Sequence, residues 1–436
     1  MLGGLRRPVG ARAAAGRGGV TQLRANIASM LVWQVGAYLI PLLTFPFLTR
    51  VLGVRGFGEF GFAFAVASYM AMISDWGFNL SASGQVARAR DDGAALTRLF
   101  WNTLAAKALL AAMCLAVLTG IVAFYPPARA MAPTMFAASG MVIANALTVN
   151  WALQGLERMG TFAVASLSGR VLTVPATFLL VHGPGDSCVA ALVQSLGAII
   201  GGGASLVLIG RTGLIGRAHA TVGGVVDQLR KGWPLFVSIL SANIYTSMNA
   251  IVLGVVAGPG VLGYYAAADR LRNAAQGVVS PISQAVYPHA MRLMAQDDRA
   301  GLAFAQRLML IQGGITLLIS LTMFCAAPLI ILILAGPRFD AAVVPLMLLA
   351  PVPFLVGLSN VMGVQMMLPL GMEQHFSRVL MSAAGVNLLA VVPLSVYGGA
   401  PGTACATLLS EIYVAGAMVA VLKRSGYRLL PERKAA

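Results

Sequence analysis

The stretch that decides the fold is Pro41–Asp92, PLLTFPFLTRVLGVRGFGEFGFAFAVASYMAMISDWGFNLSASGQVARARDD. It reads as the end of one membrane helix, a tight turn, a whole second helix and a basic exit. Arg50 closes the first helix, and Gly53, Gly56, Gly58 and Gly61 crowd the turn. Glycines there permit a sharp reversal and a close approach between helices. Asp75 stands in an otherwise apolar second helix, and Arg88 and Arg90 follow it. The spacing Gly56, Gly58, Gly61 also fits a dinucleotide loop, but that chemistry needs a preceding strand and a βαβ unit, which this sequence lacks.

Outward from this stretch, composition identifies the solvent. The chain has 436 residues, 58% hydrophobic and 10% charged, with mean hydropathy +0.82. A soluble domain carries roughly 25% charged residues. So few charges cannot coat a soluble surface, and the bilayer is the natural medium. The net charge of +16 does not point to nucleic acid. The basic residues sit between apolar runs, which is a membrane-topology pattern and not a basic face. Cys114, Cys188, Cys325 and Cys405 lie singly in or at the ends of apolar runs, as packing residues do. His182, His219, His289 and His375 sit near span ends without ligand spacing. No metal site and no cofactor is expected.

A bilayer crossing needs about 20 mainly apolar residues. Twelve runs qualify: 26–49, 58–83, 98–124, 130–154, 158–181, 186–210, 233–257, 261–288, 303–326, 341–368, 376–397 and 401–422. Pro328 is expected to divide the long run 303–335 into a span and a short interfacial piece. A disordered basic tail, 1–25, precedes the first span, and a second tail, 423–436, follows the last. Twenty-two of the thirty Lys and Arg residues fall on one side of this alternation and four on the other. The positive-inside rule then puts both termini in the cytoplasm. The remaining four, Lys107, Arg170, Arg270 and Arg272, fall inside spans.

Equivalent features recur half a chain apart. Gly53 and Gly58 at the first turn match Gly258 and Gly263 at the seventh, both 205 residues on. Gly155 and Glu157 match Gly371 and Glu373, both 216 residues on. An offset of six spans keeps the orientation, so the halves read as parallel repeats. The expected division is a six-helix lobe over 26–210, a cytoplasmic linker over 211–232 and a second six-helix lobe over 233–422.

A Lys, Arg or Asp at mid-bilayer costs about 2.5–3.5 kcal/mol even on insertion scales. The intramembrane charges must therefore face a water-filled cavity or pair with one another. Together with Arg50, the residues Lys107, Arg170, Arg270 and Arg272 form a candidate cationic binding set, with Asp75 and Asp269 as the candidate pairing or coupling acids. The deep cations outnumber these acids, and an unbalanced cationic cavity suits an anion. Pyrophosphate is one that Arg recognises through forked hydrogen bonds. Asp269, Arg272, Gln276 and Ser280 recur at helical spacing as one polar stripe. Arg270 lies about 100° around the helix from Asp269, so one arginine is expected to reach the anion and the other to hold the helix to its neighbours.

Several further segments carry a family resemblance. They are LQGLERM over 153–159, GWPLFVS over 232–238 with Tyr245 and Asn249, GYYAAADR over 263–270, PISQAVYP over 281–288 and GPRF over 336–339. With the opening stretch, this order resembles the polysaccharide flippases, the polysaccharide-transport branch of the multidrug/oligosaccharidyl-lipid/polysaccharide exporter superfamily. The resemblance implies an all-α polytopic membrane protein, about twelve transmembrane helices in two six-helix lobes around a central cavity. It implies translocation of a polyprenyl-diphosphate-linked oligosaccharide across the bacterial inner membrane, with membrane lipid, a polysaccharide polymerase and chain-length proteins as partners. An ion-coupled multidrug exporter of the same superfamily is the alternative. A membrane glycosyltransferase or polymerase is a third reading, disfavoured by short outer loops that mostly hold one charge or none. The topology predicts that a reporter active only outside the cytoplasm works when fused at Gly183 and fails after Arg217. The reverse pattern of activities would overturn it.

Overall fold

The computed structural model describes residues 9–216, 218–277, 286, 290–294 and 296–427, and the described residues form helices without strands. Ser280, His289 and the segment 281–288, apart from Val286, lie outside the described residues, as do Arg6, Arg7 and the residues beyond Tyr427. The helices in chain order are α1 Val9–Asp75, α2 Phe78–Ala89, α3 Gly93–Phe124, α4 Pro126–Ala130, α5 Ala132–Leu147, α6 Asn150–Gly155, α7 Met159–Leu180, α8 Ser187–Gly210 and α9 Val222–Gly277. They continue with α10 Asp298–Cys325, α11 Ala327–Leu334, α12 Val343–Leu349, α13 Val352–Asn360 and α14 Glu373–Arg424. A 3₁₀ turn over Pro337–Ala342 precedes α12, and a π-helix over Val361–Met367 continues α13.

Nine stretches among the described residues are long and apolar enough to cross a membrane. Three contain an internal reversal. α1 breaks at Gly53 (φ 66°, ψ −176°), α9 at Gly258 (φ 78°, ψ 174°) and α14 at Gly399 (φ 53°, ψ −132°). Positive φ with extended ψ is a conformation that essentially only glycine adopts. The breaks at Gly53 and Gly399 turn the chain back on itself, as their flanking contacts record. The rings of Phe45 and Phe57 lie 5.7 Å apart across Gly53, and the Ser395 and Thr403 hydroxyls are 2.8 Å apart across Gly399. With α9 counted from Val222, these three reversals correspond to the breaks between expected spans one and two, seven and eight, and eleven and twelve, the eighth being described only as far as Gly277. The break in the long 303–335 run falls at Ala326, so α11 is the short apolar piece expected after Pro328.

Two departures from the sequence reading are local. α1 begins at Val9, inside the stretch expected as a disordered tail. Its run ARAAA over 11–15 combines two strong helix formers. α9 begins at Val222 and enters the seventh crossing without interruption, so much of the expected linker is helix.

The first six crossings pack as one bundle, with α5 and α7 against α8, and the second six pack with α9 against α14. The bundles meet through α1 and α9. At the meeting point the two equivalent turns interlock. A Cβ on Gly58 would collide with the carbonyl oxygen of Pro259, and one on Gly263 with that of Val54. Val54 and Pro259 are themselves 205 residues apart, so the contact is reciprocal. Backbone meets backbone here because no side chain stands between. Phe57 packs beside this clasp against Phe339 of the second bundle, with ring centroids 6.0 Å apart. Arg50 reaches over it and donates to the Ile333 carbonyl at 2.7 Å. That oxygen belongs to the last turn of α11, where carbonyls lack helical partners and attract cations. Substituting Gly58 by Ala should destabilise the protein by about 1–3 kcal/mol through overpacking. Gly120→Ala, inside α3 where nothing lies within 4 Å, should not destabilise it and should gain up to about 1 kcal/mol. Thermal unfolding in detergent checks both.

Candidate functional site

A cavity of about 750 Å³ opens between the two bundles. That volume suits a drug-sized ligand or one end of a larger one. Pro41, Phe57, Phe60 and Tyr69 of α1 form one wall. Tyr265, Asp269, Arg270 and Arg272 of α9 form another, with Ser359, Asn360, Phe376 and Glu411 completing it. The residues lining the cavity therefore come from both halves, but all its charges come from the second.

The α9 charges are ordered as their spacing requires. Arg272 is 6% exposed. It donates to Asp269 from Nε at 2.8 Å, to Gln276 from Nη1 at 3.1 Å and to Asn273 from Nη2 at 2.9 Å, and Nη2 also lies 2.7 Å from Asp269 Oδ1. Asn273 donates to the other Asp269 oxygen at 2.9 Å. Asp269 and Arg272 thus form a closed pair within one helix face. Arg270, one position away on a different face, makes a single hydrogen bond of 3.3 Å, to the Pro41 carbonyl. It has no acidic partner within ion-pair distance among the described residues. A guanidinium carries five N–H donors, so most of those on Arg270 remain available to a ligand.

The other sequence candidates lie elsewhere. Lys107 is 1% exposed and sits inside the first bundle. Its Nζ is 3.4 Å from Asp75 and 3.0 Å from the carbonyl of Thr148. That carbonyl is free because the fourth crossing breaks at Thr148, between α5 and α6. Asp75 is where the second crossing breaks. Trp76 (φ 47°) and Gly77 (φ 75°) take left-handed conformations there before α2 starts. Trp76 is held by a 2.9 Å bond to the Leu229 carbonyl and by stacking on Phe236 at 4.2 Å. Asn79 returns to Asp75 at 2.9 Å. Lys107 therefore joins two broken helices, where a cation meets both a carboxylate and a helix C-terminus. Arg170 is exposed and bonds the Ala37 carbonyl at 3.4 Å, and Arg50 belongs to the clasp. None of Arg50, Asp75, Lys107 or Arg170 lines the cavity.

One charged wall residue escapes the sequence reading. Glu411 lies in α14 within the run LLSEIYV over 408–414, is 5% exposed, and faces the cavity close enough to Arg272 to feel its charge. Among the described residues no hydrogen bond reaches it. The rule that singled out Asp75, an acid inside an apolar span, would have found it. Its presence also corrects the expectation of a cationic excess. Arg270 and Arg272 face Asp269 and Glu411, so the wall is balanced in formal charge.

Two helical bundles that close on each other at one end around a largely apolar cavity with a few charged groups define a multi-pass membrane transporter. The solved structures agree in fold. An inward-facing MATE multidrug resistance transporter of the MOP superfamily matches with TM-score 0.64 and 14% identity, covering 88% of this chain and 95% of that one. A MATE multidrug transporter in complex with R6G matches with TM-score 0.61 and 19% identity, covering 94% and 97%. The chain itself belongs to the polysaccharide biosynthesis protein family, whose model matches residues 23–294. Two similar proteins carry the name "Putative O-antigen transporter". The one from Escherichia coli K12 is 32% identical over 407 residues, 92% of this chain and 97% of its own. The one from Shigella dysenteriae is 29% identical over 401 residues, 92% and 100%.

The buried Lys107 pair yields a separate prediction. Lys107→Met leaves Asp75 without its cation and should cost about 3–5 kcal/mol, as loss of one member of a buried pair does. The double variant with Asp75→Leu should recover most of that loss. Thermal melting in detergent reads both, and equal stability of Lys107→Met and wild type would remove the pair from the account.

Proposed function

We propose that this protein is a flippase that translocates a polyprenyl-diphosphate-linked oligosaccharide, the repeat unit of O-antigen or another surface polysaccharide, across the bacterial inner membrane. The observation that carries the chemistry is Arg270, a guanidinium on the cavity wall with one carbonyl bond and no acidic partner among the described residues. Its remaining donors form a fork that a diphosphate can fill bidentately. The substrate class rests on the near full-length relation to the O-antigen transporters. Asp269 and Glu411 are the kind of groups a cation exporter uses, but two arginines balance them. The likeness to multidrug transporters, at 14–19% identity, supports the fold alone.

In this reading the lobes 26–210 and 233–422 are the moving bodies and the helical linker joins them. The diphosphate and adjoining sugars occupy the cavity while the prenyl tail stays in lipid between the bundles. Both termini are cytoplasmic, so the glycine clasp closes the periplasmic end. No bond is made or broken, and the lipid leaves with its mass unchanged. A polysaccharide polymerase and chain-length proteins act on the delivered unit.

Arg270→Ala should abolish surface polysaccharide in a flippase-null strain while membrane abundance stays normal. Arg270→Lys should retain part of the activity, since it keeps the charge and loses the fork. Arg272→Ala should instead lower abundance, because it leaves Asp269 without its cation. Full activity of Arg270→Ala would rule out this residue as the diphosphate contact.

A further inference from the structure

The cavity wall poses a charge problem that the flippase reading alone leaves open, and the inference below rests on that reading. Two guanidinium groups face two carboxyls, so the empty wall has no net charge to offer an anion. A diphosphate bridging a prenyl chain and a sugar is a diester on both phosphates and carries two negative charges. Its entry would place those charges beside a carboxylate in a site of low polarity, where like charges repel strongly. One negative charge on the wall must be neutralised for the ligand to be held.

The two acids are not equal in this respect. Asp269 accepts from Arg272 and Asn273 through both of its oxygens, so its lone pairs are already engaged within its own helix. Glu411 is 5% exposed and accepts no hydrogen bond from the described residues. Its single electrostatic support is Arg272, already committed to Asp269 at 2.7 Å. The titratable groups that share the cavity with it are Tyr265, Asp269, Arg270 and Arg272 on α9 and Tyr69 on α1. The cavity-lining residues of α13 and the π-helix, and the others on α14, carry no titratable group.

We propose that Glu411 takes up a proton from water as the diphosphate enters, so that ligand and proton occupy the cavity together. The proton binds a Glu411 carboxylate oxygen, and no other bond changes. The wall then presents Arg270 and Arg272 against Asp269 alone, with one net positive charge facing the ligand. Transport is thereby linked to protons through a residue that need not touch the phosphates.

The test uses the full chain in detergent and a polyprenyl diphosphate carrying one sugar. The diester matters, because a terminal phosphate has a second ionisation near about pH 6 that would itself bind protons. Calorimetric titrations in two buffers of different ionisation enthalpy give the proton count on binding. Wild type should take up about one proton per ligand, and its affinity should fall by up to about tenfold per pH unit as pH rises, as linkage requires when the complex holds more protons than its parts. Glu411→Gln, which keeps the shape and removes the charge, should bind without uptake and with an affinity flat in pH. Asp269→Asn serves as the comparison and should retain uptake. Binding by wild type without uptake, or uptake undiminished in Glu411→Gln, overturns this inference and leaves the flippase reading standing. Failure of wild type to bind the lipid at any pH overturns both.

Discussion

An ammonium or guanidinium inside a bilayer must find a counter-charge, a carbonyl or water, because leaving it bare costs about 2.5–3.5 kcal/mol on lenient scales. Where each cation of this chain finds its partner separates architecture from function. Lys107 finds Asp75 and the freed carbonyl of Thr148, all within the first bundle. Arg50 finds the carbonyl end of α11 across the clasp. Arg272 finds Asp269 within its own helix. Arg270 finds a single carbonyl and otherwise faces open space. The first bundle therefore spends its charges on holding broken helices together, and the second turns its charges toward the cavity. Two lobes with matching helices have divided the labour between framework and site.

The glycine clasp adds a second constraint, of volume. Gly58 and Gly263 can meet carbonyl oxygens of the opposite turn only without a Cβ. Gly53 and Gly258 reverse the chain so that these turns face each other at one end. The parallel repeat places both pairs at the same membrane face, so a single glycine pattern, written twice, builds both sides of one contact. Phe57, Phe60 and Gly61, adjoining the clasp, line the cavity. A shift of the turns is thus felt directly by the ligand space. No side chain has to repack for the turns to separate, which suits a contact that opens and closes repeatedly.

Much of this was legible in the sequence, and what was missed has identifiable causes. Glycine positions and apolar run lengths carried the crossings and two of the three reversals, because backbone sterics and bilayer thickness act on the local chain. The third reversal, at Gly399, lies where the gap between spans eleven and twelve was expected. Side-chain partnership was less accessible. That Asp269 joins Arg272 follows from helical spacing, but that Asp75 joins Lys107 depends on two helix breaks, at Trp76 and Thr148, which neither proline nor spacing announces. Trp76 holds a left-handed conformation through contacts with Leu229 and Phe236, more than 150 residues away. Glu411 was hidden differently, in a span whose mean hydropathy swamps one acid.

Glu411 also changes what the cavity must be when empty. A carrier that alternates its access has to pass through its closed state both loaded and unloaded. A cavity with two uncompensated guanidinium groups would hold the ligand tightly, but it would return empty only by drawing those charges through a dehydrated state. Desolvation of each unpaired ion then opposes the return step by several kcal/mol. A wall with two arginines and two acids is neutral when empty and avoids that barrier. A carboxylate of that wall would repel a diphosphate unless one acid is discharged as the ligand arrives. Strong binding when loaded and free return when empty are thus reconciled by one carboxyl that changes its charge. Among the wall acids, Glu411 accepts no hydrogen bond from the described residues, whereas Asp269 accepts from Arg272 and Asn273.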